Sequence, residues 1–308
     1  MAVRTLVIAN PQSRNGATGR RWPSVERRVR EFFPEVEVAH TEGPRDAERL
    51  AREAVESGVV RLLVAGGDGT LSEVTSGLAS AGLGDRVELG LLPLGTGGDF
   101  VRSLDVPRDL DGALRCVERG KPRPVDVGRL RFVGDDGAPR VSYFLNVASF
   151  GISSLINDLV NQSTKAFGGT VSFLIGTIRG ILRYDSEEVE IRVDGERVFR
   201  GRFVLAAGAN GRQFGGGMRI APDARIDDGL LDLVIVEHLS VPRLLTRLPK
   251  LYRGTHLGDP ACSHFRGRVI EADAPPWTVR VELDGEPLGW LPARYDVLPG
   301  ALRIIGPA

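Results

Sequence analysis

Up to about residue 124 the apolar positions alternate between two patterns. Short aliphatic runs, RTLVIA from Arg4, VEVAH from Val36, VVRLLVA from Val59 and VELGLLP from Val87, have the unbroken character of strands buried on both faces. Between them, GRRWPSVERRVREFF and GPRDAERLAREAVESG repeat apolar residues at helical spacing, the second with Pro44 near its first turn and Gly58 past its end. Another helix is expected from about Leu71. Strands joined through helices run parallel with right-handed crossovers, which predicts a doubly wound α/β domain over residues 1–124. Ligands in such sheets sit beyond the carboxyl ends of the strands, where both glycine-rich stretches of this part fall.

From Pro124 the texture becomes alternating, with turn dipeptides between runs. PVDVGRLRFVGDDG, RVSYFLNVASF, EEVEIRVDGERVF, RFVLAAGAN, LLDLVIVEHL, RGRVIEAD and WTVRVELDGEPL predict an antiparallel β domain over 125–295. Helical insertions are expected near Ile152–Tyr184 and Val241–Tyr252. The closing YDVLPGALRIIGPA leaves open whether residues 296–308 return to complete the first domain.

Length agrees with two domains, since 308 residues exceed the size at which one core usually keeps growing. The balance of 40 basic and 40 acidic residues argues against a general nucleic-acid binder. Lys121, Lys165 and Lys250 are the only lysines, so arginine is the default cation and a single arginine carries little information. Cys116 and Cys262 lack metal or disulfide spacing, which fits a reducing, cytoplasmic setting. The N-terminal apolar run is too short for a signal segment, and Val171–Leu182, interrupted by Arg179, falls short of a roughly 20-residue span. No transmembrane segment is expected.

GGDGT (Gly66–Thr70) follows a strand and opens a helix, the setting in which backbone amides and a helix N-terminus bind anions. Taken alone, the loop is equally well read as a tight turn in which Asp68 or Thr70 caps the helix. PLGTGGDF (Pro93–Phe100) repeats the arrangement after the next strand, and two such loops at one sheet edge favour a phosphate site.

NPQSRNG at Asn10, GGDGTLSEV at Gly66 and PLGTGGDF at Pro93 resemble the signatures of the diacylglycerol kinase catalytic family, which includes bacterial soluble diacylglycerol kinases and sphingosine kinases. The similarity continues in order through VDVG around Asp126, FGGGMRIAPDARIDDGLLDL (Phe214–Leu233) and DGEPL (Asp284–Leu288). It implies an ATP-binding α/β domain, a C-terminal β-sandwich lipid-substrate domain, and an active site in the cleft between them. By position, Asn10, Ser13, Thr41, Gly66, Gly67, Asp68, Gly69, Thr70, Leu71, Ser72, Glu73 and Thr96 would contact ATP. Asp68, Asp99 and Asp126 would organise phosphate and Mg²⁺. Asp228 as the carboxylate anchor, with the carbonyls of Arg225 and Leu230, would hold a structural Mg²⁺, although an Asp-Gly turn feeding the strand LLDLVIV reads the same stretch without a metal.

Glu286 matches the family's general base, but the tripeptide DGE also occurs at Asp194–Glu196, where it reads as a hairpin turn; only its place in the ordered series selects Glu286. The chain departs from the family pattern at Ser72 and Gly98, where asparagines are usual. Lys165 either faces lipid headgroups or a phosphate, or is a solvated helix-end lysine, and the apolar segment after it lines an acyl-chain pocket or belongs to the core.

The resemblance implies a kinase peripheral to the membrane, taking a lipid at the membrane surface and transferring the γ-phosphoryl group of ATP to its hydroxyl, with diacylglycerol converted to phosphatidic acid. A kinase of a soluble alcohol or of NAD, and a non-catalytic nucleotide or lipid sensor, are the alternatives. A homodimer is compatible with the sequence.

Overall fold

The computed structural model describes residues 3–95, 97–156, 177–284 and 286–307. Thr96, Lys165 and most of the apolar segment after it lie outside the described residues. The chain forms two compact units, Met1–Val127 with Pro299–Ala308, and Gly128–Leu298. The passage between them falls after Val127 and after Leu298, against the expected 124 and 295.

In the first unit, strands β1 (Thr5–Ala9), β2 (Glu37–His40), β3 (Arg61–Gly66) and β4 (Glu88–Pro93) pair in the order β2-β1-β3-β4, all parallel. The last strand of the chain, β14 (Glu286–Gly306), brings its end alongside β4, with Arg303 opposite Glu88 and Ile304 opposite Leu89. Residues 299–306 therefore do complete the α/β unit. Helices α1 (Ala17–Phe32), α2 (Asp46–Glu56) and α3 (Asp68–Ala81) form the crossovers. Helix α3 starts at Asp68, three residues before the expected Leu71, because Gly67 supplies an extended N-cap without needing a side chain. After β4 come a short helix α4 (Asp99–Ser103) and α5 (Leu110–Arg119), whose Asp109 cap accepts from the amide of Gly112. Helix α5 leads directly into β5 (Lys121–Val133).

The second unit is antiparallel: β6 (Pro139–Phe144), β7 (Val147–Gly151), β8 (Glu188–Val193), β9 (Glu196–Ala209), β10 (Leu231–Glu237), β11 (Cys262–Gly267), β12 (Val269–Asp273) and β13 (Arg280–Leu283), with β14. Pairing runs β9-β7-β13-β14-β12-β8 and returns to β9, a closed ring. Two long strands make the ring possible. β9 pairs β8 through Glu196–Arg202 and β7 through Leu205–Ala209, while β14 pairs β13 through Glu286–Trp290 and β12 through Ala293–Asp296. Each passes from one layer of a sandwich to the other, and Phe144, Phe150, Phe203 and Tyr295 fill the space between. Residues 152–156 and 177–183 are helical, and α6 (Val241–Arg253) matches the expected second insertion.

Lys250, on α6, holds buried Asp259 at 3.0 Å together with Arg247 at 2.9 Å. The hydrogen bond from Lys250 leads, with help from the amide of Ala261 and from Arg247, in lowering the Asp259 carboxyl to about 2. A carboxyl depressed in the folded state stabilises it above the unfolded value near 3.9, and that stabilisation disappears as pH falls through about 2. Asp259→Asn should lower Tm at neutral pH and flatten the fall in Tm between about pH 4 and pH 2; thermal melts of both proteins across that range read the difference.

Candidate functional site

The parallel registers Ala9↔Ala65 and Gly66↔Pro93 end β1, β3 and β4 at one edge, so the segments after them share that edge. Asn10 ties the first two together. Its backbone amide donates to Ala65 O at 3.0 Å, its side-chain amide to the hydroxyl of Thr70 at 3.0 Å, and its Oδ1 accepts from Gln12 N. Ser13 follows in the same turn, its amide bonded to Asn10 O. Thr41, buried after β2, donates its amide to Ala9 O.

The second and third segments meet backbone to backbone. Leu94 and Gly95 both donate to Gly66 O, at 3.0 and 2.9 Å. A Cβ on Gly95 would lie 2.3 Å from the Cα of Gly67, closer than any side chain tolerates, so the contact requires glycine. Asp68 then bridges the loops with one carboxylate oxygen: Oδ2 accepts from Gly98 N at 2.8 Å and from Asp99 N at 3.3 Å. A side chain at the first residue of α3 thus caps α4. Gly98 has φ 73° and ψ 38°, the left-handed conformation open to glycine and, among other residues, best to asparagine.

An open pocket lies against these loops. Val64, Leu71, Leu91 and Val101 form its apolar lining, Gly67, Gly95, Gly97 and Gly98 its backbone edge, and among the described residues Asp68 and Arg108 are its two ionisable lining residues. Helix α3 has no side-chain cap at Gly67, so its first-turn amides are available to an anion. Arg108, which donates to Gly97 O at 3.2 Å, gave no sequence signal in a chain whose default cation is arginine.

The remaining expected residues divide. Gly69 is open to solvent-side space, with nothing within 4 Å of where a Cβ would stand, and Ser72 is half-buried on α3. Glu73 turns to α2, accepting from Ala47 N at 3.1 Å. Buried Asp99 pairs with Arg102. Asp126 is bound into the strand pairing, where its Oδ1 accepts from Gly300 N at 2.7 Å and secures the returning β14.

In the second unit Glu286 is exposed at the start of β14, after a hairpin whose Asp284 has φ 49°. The other DGE forms the β8–β9 hairpin with Asp194 at φ 50°, and its aspartate accepts from the amides of Arg268 and Val269. The pairings Val193↔Glu196 and Leu283↔Glu286 put both copies at strand connections, and the Asp194 copy is locked to β12.

The expected metal residues fit an ion unequally. Asp228 accepts from Leu230 N at 3.1 Å through Oδ1 and from Arg266 through Oδ2, while Arg225 pairs with Asp227 at 3.2 Å. The expected ligands there are the Asp228 carboxylate and the backbone carbonyls of Arg225 and Leu230, so an ion would share the carboxylate with the Arg266 guanidinium. Among the described residues no three His, Cys, Asp or Glu side chains converge on a common point. Mg²⁺ needs no such cage when substrate phosphates supply most of its ligands. Asp68 suits that role, because among the described residues its Oδ1 accepts no hydrogen bond while Oδ2 is fixed.

Residues 4–130 match the diacylglycerol kinase catalytic domain, and residues 146–306 match the YegS C-terminal NAD kinase beta sandwich-like domain. A protein of Chromohalobacter salexigens described as "Probable lipid kinase YegS-like" is 37% identical over 290 residues, covering 91% of this chain and 86% of that one. This chain belongs to the YegS-like family, built on the diacylglycerol kinase catalytic domain. Membership makes it a kinase, a phosphotransferase. A second family member, from Cronobacter sakazakii and described in the same words, is 37% identical across 87% of this chain and 85% of its own. A diacylglycerol kinase crystal structure from Bacillus anthracis superposes with a TM-score of 0.78 at 26% identity, covering 99% of this chain and 97% of that one. Yeast NADH kinase shares the fold at 13% identity with a TM-score of 0.55, covering 99% and 83%.

The contact between Gly67 and Gly95 predicts opposite outcomes for two neighbouring substitutions. Gly95→Ala forces the loops apart and should cost about 1–3 kcal/mol, as overpacking does. Gly98→Asn should leave Tm within a degree or two, because the left-handed backbone suits asparagine and the nearest atom to a new Cβ, on Val101, is 4.0 Å away. Thermal denaturation of the two variants beside wild type checks both.

Proposed function

We propose that the protein transfers the γ-phosphoryl group of ATP to the hydroxyl of diacylglycerol, yielding phosphatidic acid. The bridge from Asp68 to the amides of Gly98 and Asp99 carries the reading, because it holds two glycine loops and a helix N-terminus around one pocket. Phosphoryl transfer asks a protein mainly for positioning and for donors aimed at phosphate oxygens. Amides of the first turn of α3, with that of Gly97, would receive the phosphates, and the apolar lining from Leu71 to Val101 would receive a base. When bound with the nucleotide, Mg²⁺ would supply charge neutralisation at the β- and γ-oxygens, and Asp68 Oδ1 is the carboxylate oxygen suited to hold it.

The acceptor hydroxyl must lose a proton as it attacks. Glu286 is the carboxylate for that step: its side chain is exposed at the start of β14, among the described residues it forms no ion pair, and it stands at the matching place in the family's ordered motifs. A lipid acceptor agrees with the names carried by the relatives. Among the described residues no helix is long and apolar enough to cross a membrane, so the lipid would be taken at a bilayer surface. Cytoplasmic residence belongs to the same proposal.

The test uses purified protein, γ-labelled ATP, vesicles containing diacylglycerol, and separate incubations with NAD and with glycerol, the product identified by mass. Label in phosphatidic acid is expected; label in NADP or in a phosphorylated polyol, or none at all, contradicts the reading. The twin hairpins refine it. Glu286→Gln keeps size and hydrogen bonding but cannot take a proton, so turnover should fall by about 10²- to 10⁴-fold with ATP affinity unchanged. Glu196→Gln should retain wild-type turnover. Loss confined to the Glu196 variant would place the base in the wrong hairpin.

A further inference from the structure

Among the described residues one cation lines the pocket beside the glycine loops, and its surroundings explain why that cation is available. Arg108 follows Pro107 and precedes Asp109, whose side chain caps α5 through the amide of Gly112 at 2.7 Å, so the backbone carrying Arg108 is fixed on both sides. Neighbouring guanidiniums are otherwise engaged. Arg102 pairs with Asp99, and Arg28 pairs with Asp111 and Glu31. Among the described residues Arg108 forms no ion pair; its hydrogen bond goes to Gly97 O at 3.2 Å, which uses one of five N–H donors and leaves the charge uncompensated.

Charge around the pocket makes the remaining donors consequential. Asp68 is the other ionisable lining residue, so without Arg108 the lining would be net negative and would oppose a polyphosphate. Position 98 carries no side chain that could donate in its place. A guanidinium also matches phosphate oxygens with paired N–H donors, which a solvated point charge does not.

We infer that Arg108 is a nucleotide-binding residue that clamps the phosphate chain against the second glycine loop, holding Gly97 O with one donor and phosphate oxygens with the others. This rests on the proposed ATP-dependent function. Its effect falls on nucleotide binding: the clamp grips phosphates present in the ground state as in the transition state, so its loss should raise KM more than it lowers kcat.

Isothermal titration of the full chain with ATP and, separately, with adenosine tests the clamp in wild type, Arg108→Ala and Arg108→Lys. Arg108→Ala should weaken ATP about 10- to 100-fold, in line with a charge-assisted contact. Adenosine affinity and Tm should not move, KM for ATP should rise with kcat within a few-fold, and Arg108→Lys should recover part of the loss. Unchanged ATP affinity would overturn the inference. Equal weakening of ATP and adenosine, or a fallen Tm, would also overturn it by showing that Arg108 only braces the loop. A wild-type protein that binds no ATP would remove the functional reading itself, a result distinguishable from both.

Discussion

A single carboxylate oxygen sets the geometry on which the rest of the candidate site depends. Asp68 Oδ2 takes the amides of Gly98 and Asp99, so the first residue of one helix terminates the free donors of the next. Hydrogen bonds to a charged acceptor contribute about 1.5–3 kcal/mol each, enough to hold a short glycine-rich loop that has little else to order it. The close approach of Gly67 and Gly95 follows from the same arrangement and excludes side chains from the contact. What remains facing the pocket among the described residues is backbone, an apolar lining, a carboxylate oxygen of Asp68 and the guanidinium of Arg108. Such an array needs little reorganisation when charge arrives, which is the property phosphoryl transfer exploits.

This double use of Asp68 changes what the residue means. A reading from sequence assigns it to phosphate and metal, whereas the structure shows that its side chain also joins α3 to α4. Oδ2 serves the joint between the loops, and the proposed hold on Mg²⁺ falls to Oδ1. Asp126 and Glu73 show the opposite outcome: a carboxylate in a matching motif position whose described bond serves a strand return in one case and a helix start in the other. The Asp228 carboxylate, the expected metal anchor, is engaged by Arg266.

Much of this was legible before the structure. Aliphatic runs and helical spacing locate β1, β3, β4, α1 and α2, because periodicity is a local property. The order of the motifs singles out the two glycine loops and is the basis on which Glu286 is proposed over its twin at Glu196. Partners distant along the chain were not legible. Nothing local to Asp68 points to amides some thirty residues on, and nothing near Asp126 points to Gly300. Helix α5 was missed, since Gly112 in its first turn weakens the helical signal that the Asp109 cap restores. The closing strand was left open because a run such as LRII pairs equally well in either unit; its register with β4 decides the matter. Arg108 was hidden by composition, among arginines that mostly serve surface ion pairs.

The central claim is that both glycine loops, held by Asp68, receive the nucleotide. Hydrogen–deuterium exchange with and without a non-hydrolysable ATP analogue and Mg²⁺ tests it most directly. Exchange should slow in the segments 66–73 and 94–99 together, because one phosphate chain would cover amides of both. Protection of one segment without the other, or of neither at saturating nucleotide, would contradict the account.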